Sequence, residues 1–132
     1  MGSGRMLVVC LEELGTEEAE AVTWRCVAMP GRTGGLGLAP GGNINPKGTS
    51  MFEPIHGSAP KYRGMGVANP VATIWAGSLL LDHIGEHKAA AAVVKAIEKS
   101  IKDGMVTKDL GGKAVSTEKA GSYIAECVKK GK

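Results

Sequence analysis

Helical periodicity is confined to the second half of the chain. After Pro70, apolar residues at Val71, Ile74, Trp75, Leu79 and Leu81, with Ser78 and Asp82 among them, form a broad face. The pattern predicts a helix entered at Pro70 and broken by Gly85, apolar enough to be buried against a partner layer. Glu86–Asp103 predicts a second helix, with Ala90, Val93, Val94, Ile97 and Ile101 recurring at threes and fours. Lys88, Lys95, Glu98, Lys99 and Lys102 take its other face, and Gly104 closes it. A short strand or turn at Met105–Asp109 and a Gly111-Gly112 turn then precede a third helix from Ser116 to Lys130. Ser116-Thr117-Glu118 opens that helix, and Ala120, Tyr123, Ile124, Cys127 and Val128 form its inner face.

Upstream, the pattern is one of short apolar runs separated by glycine. Met6–Leu11 predicts a buried strand, and Thr16 before Glu17 and Glu18 caps a predicted helix over Glu17–Met29 that stops at Pro30-Gly31. Gly34–Asn43 reads as the end of an apolar strand running into a glycine-rich turn. It fails the G-x-G-x-x-G test, because Pro40 stands at the third glycine and no helical pattern follows. A tight turn between strands and a ligand loop both fit its residue types. Ser50–Pro54 predicts another short strand. The expected class is therefore α/β, short strands and glycine-rich loops followed by three helices.

Between these halves, Met51–Pro70 has a composition that suits neither a helix interior nor a plain strand. Prolines at 54, 60 and 70 fix its course, and its glycines let a ligand approach backbone N–H groups. Glu53, His56, Ser58, Lys61, Tyr62 and Asn69 supply polar groups along it. Lys61 and Tyr62 beside glycine N–H groups suit a phosphate, and the Asn69 carboxamide can both donate to and accept from the edge of a heterocycle. His83-Ile84-Gly85-Glu86-His87 matches the H-x-x-E-H zinc spacing, which needs one unbroken helix. Gly85 is expected to put the two histidines on different elements, so the spacing is assigned no zinc chemistry.

Composition narrows the function classes. The 132 residues are 43% hydrophobic and 22% charged, a globular balance long enough for one domain with a real core. A formal charge of +3 and 4% aromatic residues do not describe a nucleic-acid module. Cys10, Cys26 and Cys127 are odd in number and widely spaced, which points to a reducing compartment rather than a disulfide framework. The run Met6–Leu11 is too short for a signal peptide or a membrane span, so a cytoplasmic protein with no membrane partner is expected.

Three motifs in order carry a family resemblance: Gly35-Leu36-Gly37-Leu38-Ala39-Pro40, Phe52-Glu53-Pro54-Ile55-His56-Gly57-Ser58-Ala59-Pro60 and Ala68-Asn69-Pro70. With Leu81-Asp82-His83-Ile84-Gly85 and Lys108-Asp109-Leu110-Gly111-Gly112, the chain from Gly34 onward resembles the β-decarboxylating dehydrogenases acting on isopropylmalate, isocitrate, homoisocitrate and tartrate. The resemblance implies a partial isopropylmalate-dehydrogenase-like fold over residues 34–132, behind a divergent segment 1–33. It implies a nicotinamide dinucleotide site: Glu53 near the nicotinamide, His56, Gly57, Ser58 and Ala59 on the adenosine side and its phosphates, and Asn69 at adenine. Lys61 and Tyr62 match the pair that meets the extra phosphate of NADP, whereas Asp109-Leu110-Gly111-Gly112 resembles NAD-using members, so NAD and NADP both stay open.

The same resemblance implies Mg²⁺ or Mn²⁺ held by aspartates just upstream of the glycine-rich loop. Ala21–Thr33 contains no carboxylate, so those ligands are absent here, and no catalytic residue is assigned. The expectation is a truncated or rearranged C-terminal piece that binds dinucleotide. It would meet a 2-hydroxy-dicarboxylate substrate only when another chain completes it, in a homo- or hetero-oligomer. A non-catalytic interaction or regulatory module, or a relic fragment, is the alternative.

Overall fold

The computed structural model describes residues 22–23, 37–111 and 114–131. The predicted strand Met6–Leu11 lies outside them. Three short strands, β1 (Val22–Thr23), β2 (Pro40–Ile44) and β3 (Met51–Pro54), form an antiparallel sheet in that order. Three helices follow: α1 (Val71–His83), α2 (His87–Lys102) and α3 (Thr117–Lys130). The α/β class and the three-helix succession agree with the sequence pattern.

Two local expectations are corrected. The helix expected over Glu17–Met29 does not hold at residues 22 and 23, which pair as a strand with Ile44 and Asn43; the remainder of that segment lies outside the described residues. Both are β-branched, a residue type that favours the pleated backbone. The glycine-rich turn expected at Gly41-Gly42-Asn43 is instead the middle of β2, with Gly41 opposite Glu53 and Gly42 opposite Phe52. A Cβ on Gly42 would lie 3.1 Å from the Phe52 ring, so the glycine marks a close approach within the sheet rather than a bend. The bend comes later. Asn45 accepts from the Lys47 N–H at 3.0 Å and its own N–H donates to Ser50 Oγ at 3.1 Å, an Asx turn that returns the chain into β3.

The core lies where the helices meet. Val71, Ala96, Ile97 and Ile124 are buried together, with Leu38, Ile74, Trp75, Val93, Cys127 and Val128 packed around them. Full burial of a side chain such as Ile124 or Val71 contributes roughly 1.5–3 kcal/mol. Of the α1 face expected to be apolar, Val71 and Ser78 are buried and Ile74, Trp75, Leu79 and Leu81 half-buried, while Ala72 and Ala76, outside that pattern, are buried as well. Ser78 keeps its hydroxyl satisfied by donating to the Ala90 carbonyl of α2 at 3.2 Å. The stripe on α2 is narrower than expected, because Ala90 and Ile97 are buried but Ile101 is 38% exposed. Met105–Asp109 resolves into a turn: Val106 and Thr107 are buried, and a single 3₁₀ turn follows at Lys108–Leu110. Ser116 caps α3 by accepting from the Lys119 N–H at 3.2 Å, as its position in the sequence predicted. No described helix is long and apolar enough to cross a membrane.

α1 ends at His83 and α2 begins at His87, with Gly85 at φ 90° between them. The H-x-x-E-H residues thus belong to two helices. His87 Nδ1 lies 2.7 Å from Asp82 Oδ1, and the His83 ring meets Phe52 of β3 at 5.4 Å between centroids. Both imidazoles hold the corner of the fold.

Candidate functional site: the loop between Pro54 and Pro70

The loop leaves β3 at Pro54 with Ile55 N–H bonded to the Ala39 carbonyl at 3.1 Å. It then reverses twice through left-handed residues, Gly57 at φ 67° and Ala59 at φ 40°. Glycine adopts this region freely, whereas an alanine there costs about 1–2 kcal/mol. The surrounding turn holds Ala59 in place: its carbonyl accepts from Tyr62 N–H at 3.0 Å and opens the 3₁₀ turn Pro60–Tyr62. At its far end the loop is tied to α3. Thr117 donates its N–H to Gly66 at 2.8 Å and its hydroxyl to Ala68 at 2.5 Å.

Within this frame His56 is half-buried. Its Nδ1 sits 2.7 Å from the Gly57 carbonyl, which can only accept, so Nδ1 carries the proton. In the uncharged ring Nε2 is then an acceptor, and it is buried with no hydrogen-bond partner among the described residues. A buried polar atom without a partner is costly, and a ligand donor is one way to satisfy it. Beside it, the N–H groups of Ser58 and Ala59 have no acceptor among the described residues. Lys61 extends over the Tyr62 ring, 4.8 Å from its centroid, and has no carboxylate partner among the described residues. An unpaired ammonium, a phenol and free backbone N–H groups around a left-handed turn form an arrangement suited to an anion.

The remaining sequence-predicted residues make other contacts. Along β3 the exposure alternates, so that Phe52 turns toward His83 of α1 while Glu53 lies exposed on the opposite face of the sheet. Asn69 stands at the entrance of α1, where its Oδ1 accepts from Val71 N–H at 2.9 Å and its Nδ2 donates to Asp109 at 2.8 Å. No hydrogen bond or ion pair links Glu53, His56, Lys61 and Asn69 to one another among the described residues. Sequence reasoning gave no role to Thr117, which anchors the loop, or to Asp109, which holds Asn69. Asp109 lay in a quoted motif, whereas nothing in the sequence marked Thr117 beyond its place at a helix start.

Among the described residues there is no group of three or more His, Cys, Asp or Glu able to hold a metal ion. The described residues therefore do not fit Mg²⁺ or Mn²⁺.

A family profile described as isocitrate/isopropylmalate dehydrogenase matches residues 28–124, beginning slightly upstream of Gly34. An isocitrate/homoisocitrate dehydrogenase of Thermus thermophilus is 48% identical over 99 residues, covering 75% of this chain and 29% of the relative. A probable tartrate dehydrogenase/decarboxylase of Bacillus subtilis is 47% identical over 87 residues, 64% of this chain and 25% of the relative. Among solved structures, the isocitrate dehydrogenase of Methylococcus capsulatus superimposes with a TM-score of 0.68 at 43% identity, over 73% of this chain and 29% of that one. The chain thus spans under a third of the length of the relatives it matches. The loop, α1, α2, the turn carrying Asp109 and the first half of α3 fall within the matched region, and the chain belongs to the isocitrate/isopropylmalate dehydrogenase family.

Proposed function

We propose that this chain is a nicotinamide-dinucleotide-binding segment of an oxidoreductase that oxidatively decarboxylates a 2-hydroxy-dicarboxylate. The buried Nε2 of His56, without a hydrogen-bond partner among the described residues, carries the proposal: in the uncharged ring it is an acceptor that lacks a donor, in a loop otherwise rich in free donors. A ribose hydroxyl or an adenine amino group supplies such a donor. Phosphate oxygens only accept, so they are served by the N–H groups of Ser58 and Ala59 and by the Lys61 ammonium. Gly57 lets the backbone turn toward the ligand, and Asn69 offers its remaining N–H and lone pair to a heterocycle edge. We assign Lys61 and Tyr62, whose side chains stack at 4.8 Å, to the extra phosphate of NADP should that be the cofactor; NAD and NADP both remain candidates. Glu53, on the other face of the sheet, is the residue we assign to the nicotinamide side. When bound, the nicotinamide accepts a hydride from the substrate's C–OH carbon.

In this reading the chain is not active alone. Residues 34–132 form the family portion, residues 1–33 are divergent, and metal and substrate groups come from another chain in a homo- or hetero-oligomer, in a cytoplasmic setting. Calorimetric titration of the folded chain with NAD⁺ and NADP⁺ tests the binding. Saturable heats for both are expected, with Lys61→Ala weakening NADP⁺ more than NAD⁺. A folded chain that gives no saturation with either contradicts the reading. Turnover of isopropylmalate or isocitrate with Mg²⁺ by the purified chain contradicts the inactivity.

A specific observation supports a second reading, an interaction module. Leu80, Ile84 and Met51 are 43%, 61% and 51% exposed, near the corner where α1 ends on β3. Such apolar exposure suits a protein partner. Sedimentation as a monomer at all concentrations, with no association with a full-length relative, would remove it.

A further inference from the structure

Three segments distant in sequence meet at the carboxylate of Asp109. Its Oδ2 accepts from Asn69 Nδ2 at 2.8 Å, and its Oδ1 accepts from Thr107 Oγ1 at 2.5 Å. Thr107 is buried at 1% exposure, so the carboxylate is anchored on its own turn before it reaches Asn69. Gly37, at the approach to β2, completes the meeting: a Cβ there would lie 3.0 Å from Asp109 Oδ2 and 3.5 Å from Asn69 Nδ2. The absence of a side chain at 37 leaves room for the pair.

The chemistry of the partners fixes which way Asn69 faces. A carboxylate only accepts and a backbone N–H only donates, so Nδ2 must face Asp109 while Oδ1 faces Val71 N–H. With one hydrogen and one lone pair so committed, the other hydrogen and the other lone pair point where the pair directs them. The 3₁₀ turn does not depend on this contact, because Leu110 N–H already bonds to the Thr107 carbonyl at 3.1 Å.

We propose that Asp109 is a positioning residue: it orients the Asn69 carboxamide at the entrance of α1 and thereby sets the affinity of the neighbouring loop for its ligand. The proposal rests on the dinucleotide reading. It adds a residue that touches no ligand and couples the turn between α2 and α3 to the binding loop.

The test combines calorimetric titration of the full chain with NAD⁺ or NADP⁺ and NMR of the ¹⁵N-labelled Asn69 side-chain amide. Asp109→Ala is expected to weaken binding about tenfold and to speed exchange of the Asn69 Nδ2 protons with water. Asp109→Asn keeps an oxygen for Asn69 and an amide for the Thr107 hydroxyl, so affinity within about threefold of wild type is expected. The double variant Asn69→Ala/Asp109→Ala is expected to bind no more weakly than Asn69→Ala alone, since Asp109 acts through Asn69. Wild-type affinity in Asp109→Ala with a released amide, or fully additive losses in the double variant, overturns the positioning role and leaves the dinucleotide reading standing. A wild-type chain that binds neither dinucleotide overturns both, and its own flat isotherm identifies that case. Should Asp109→Ala fail to fold, Gly37→Ala crowds the same carboxylate while keeping both partners. A fewfold loss of affinity is expected there, and unchanged affinity with a displaced Asn69 amide signal overturns the proposal.

Discussion

Ile124 in α3 is 2% exposed, whereas every residue from Gly57 to Ala68 except Ala59 is exposed. The helical layer is held by apolar burial that many residues share. The loop is held by single polar ties: Ile55 to Ala39, Ala59 to Tyr62, Thr117 to Gly66 and Ala68, and Asn69 to Asp109. This difference separates stability from recognition. A change in the helices acts on the whole fold, while a change in the loop acts on one contact and leaves the fold standing.

The largest effect is expected in the helical layer. Ile124→Ala removes a fully buried side chain and is expected to cost about 2–5 kcal/mol in denaturant unfolding. A cost under ~1 kcal/mol would mean that α3 is not part of the core described. His56→Ala sharpens the contrast from the other side. It is expected to weaken dinucleotide binding about tenfold or more while moving the unfolding midpoint little, because it removes a buried orphan atom and no core packing. Loss of both binding and stability would merge the two regions that this account separates. Ala59→Gly comes next: releasing the left-handed alanine is expected to raise stability by up to about 1 kcal/mol, unless added freedom in the unfolded chain offsets it. Thermal unfolding of the variant decides between these terms.

The smallest effect concerns pH. The Tyr123 hydroxyl donates to the Asp103 carboxylate, which also accepts from Lys99 Nζ at 3.0 Å. This hydrogen bond, then partial burial and the nearby negative charge, push the phenol from 10.0 up to about 12. The hydrogen bond and charge of Asp103 also raise Lys99 above 10.5. The folded state therefore holds both protons more tightly than the unfolded chain. Their stabilisation is complete below about pH 10 and is lost as pH rises toward 12. Tyr123→Phe is expected to flatten this alkaline loss while leaving the part due to Lys99. An unchanged pH profile from 9 to 12 would show that the pair contributes nothing.

The same contrast explains what the sequence revealed. Helices α2 and α3 announce themselves because burial imposes a 3.6-residue period on Ala90, Ile97, Ala120 and Ile124. Glycine in β2 misled, because Gly41 and Gly42 have the composition of a turn, and only their pairing with Glu53 and Phe52, with the Phe52 ring close against Gly42, shows that they lie in a strand. The loop was marked as a candidate ligand loop by its residue types and its family resemblance. Its ties were not, since Thr117 is 49 residues from Ala68, and Asp109 is 40 from Asn69. The orphaned Nε2 of His56 follows from packing and hydrogen-bond geometry, which no spacing encodes.

Amide hydrogen exchange of the full chain with and without saturating NADP⁺ addresses the central claim most directly. Slowed exchange is expected at Gly57, Ser58, Ala59 and Lys61 on ligand addition, with Ala96, Ile97 and Ile124 unchanged beyond the general stabilisation that any ligand confers. Protection centred on α2 and α3, or none at Ser58 and Ala59 under saturation, would contradict it.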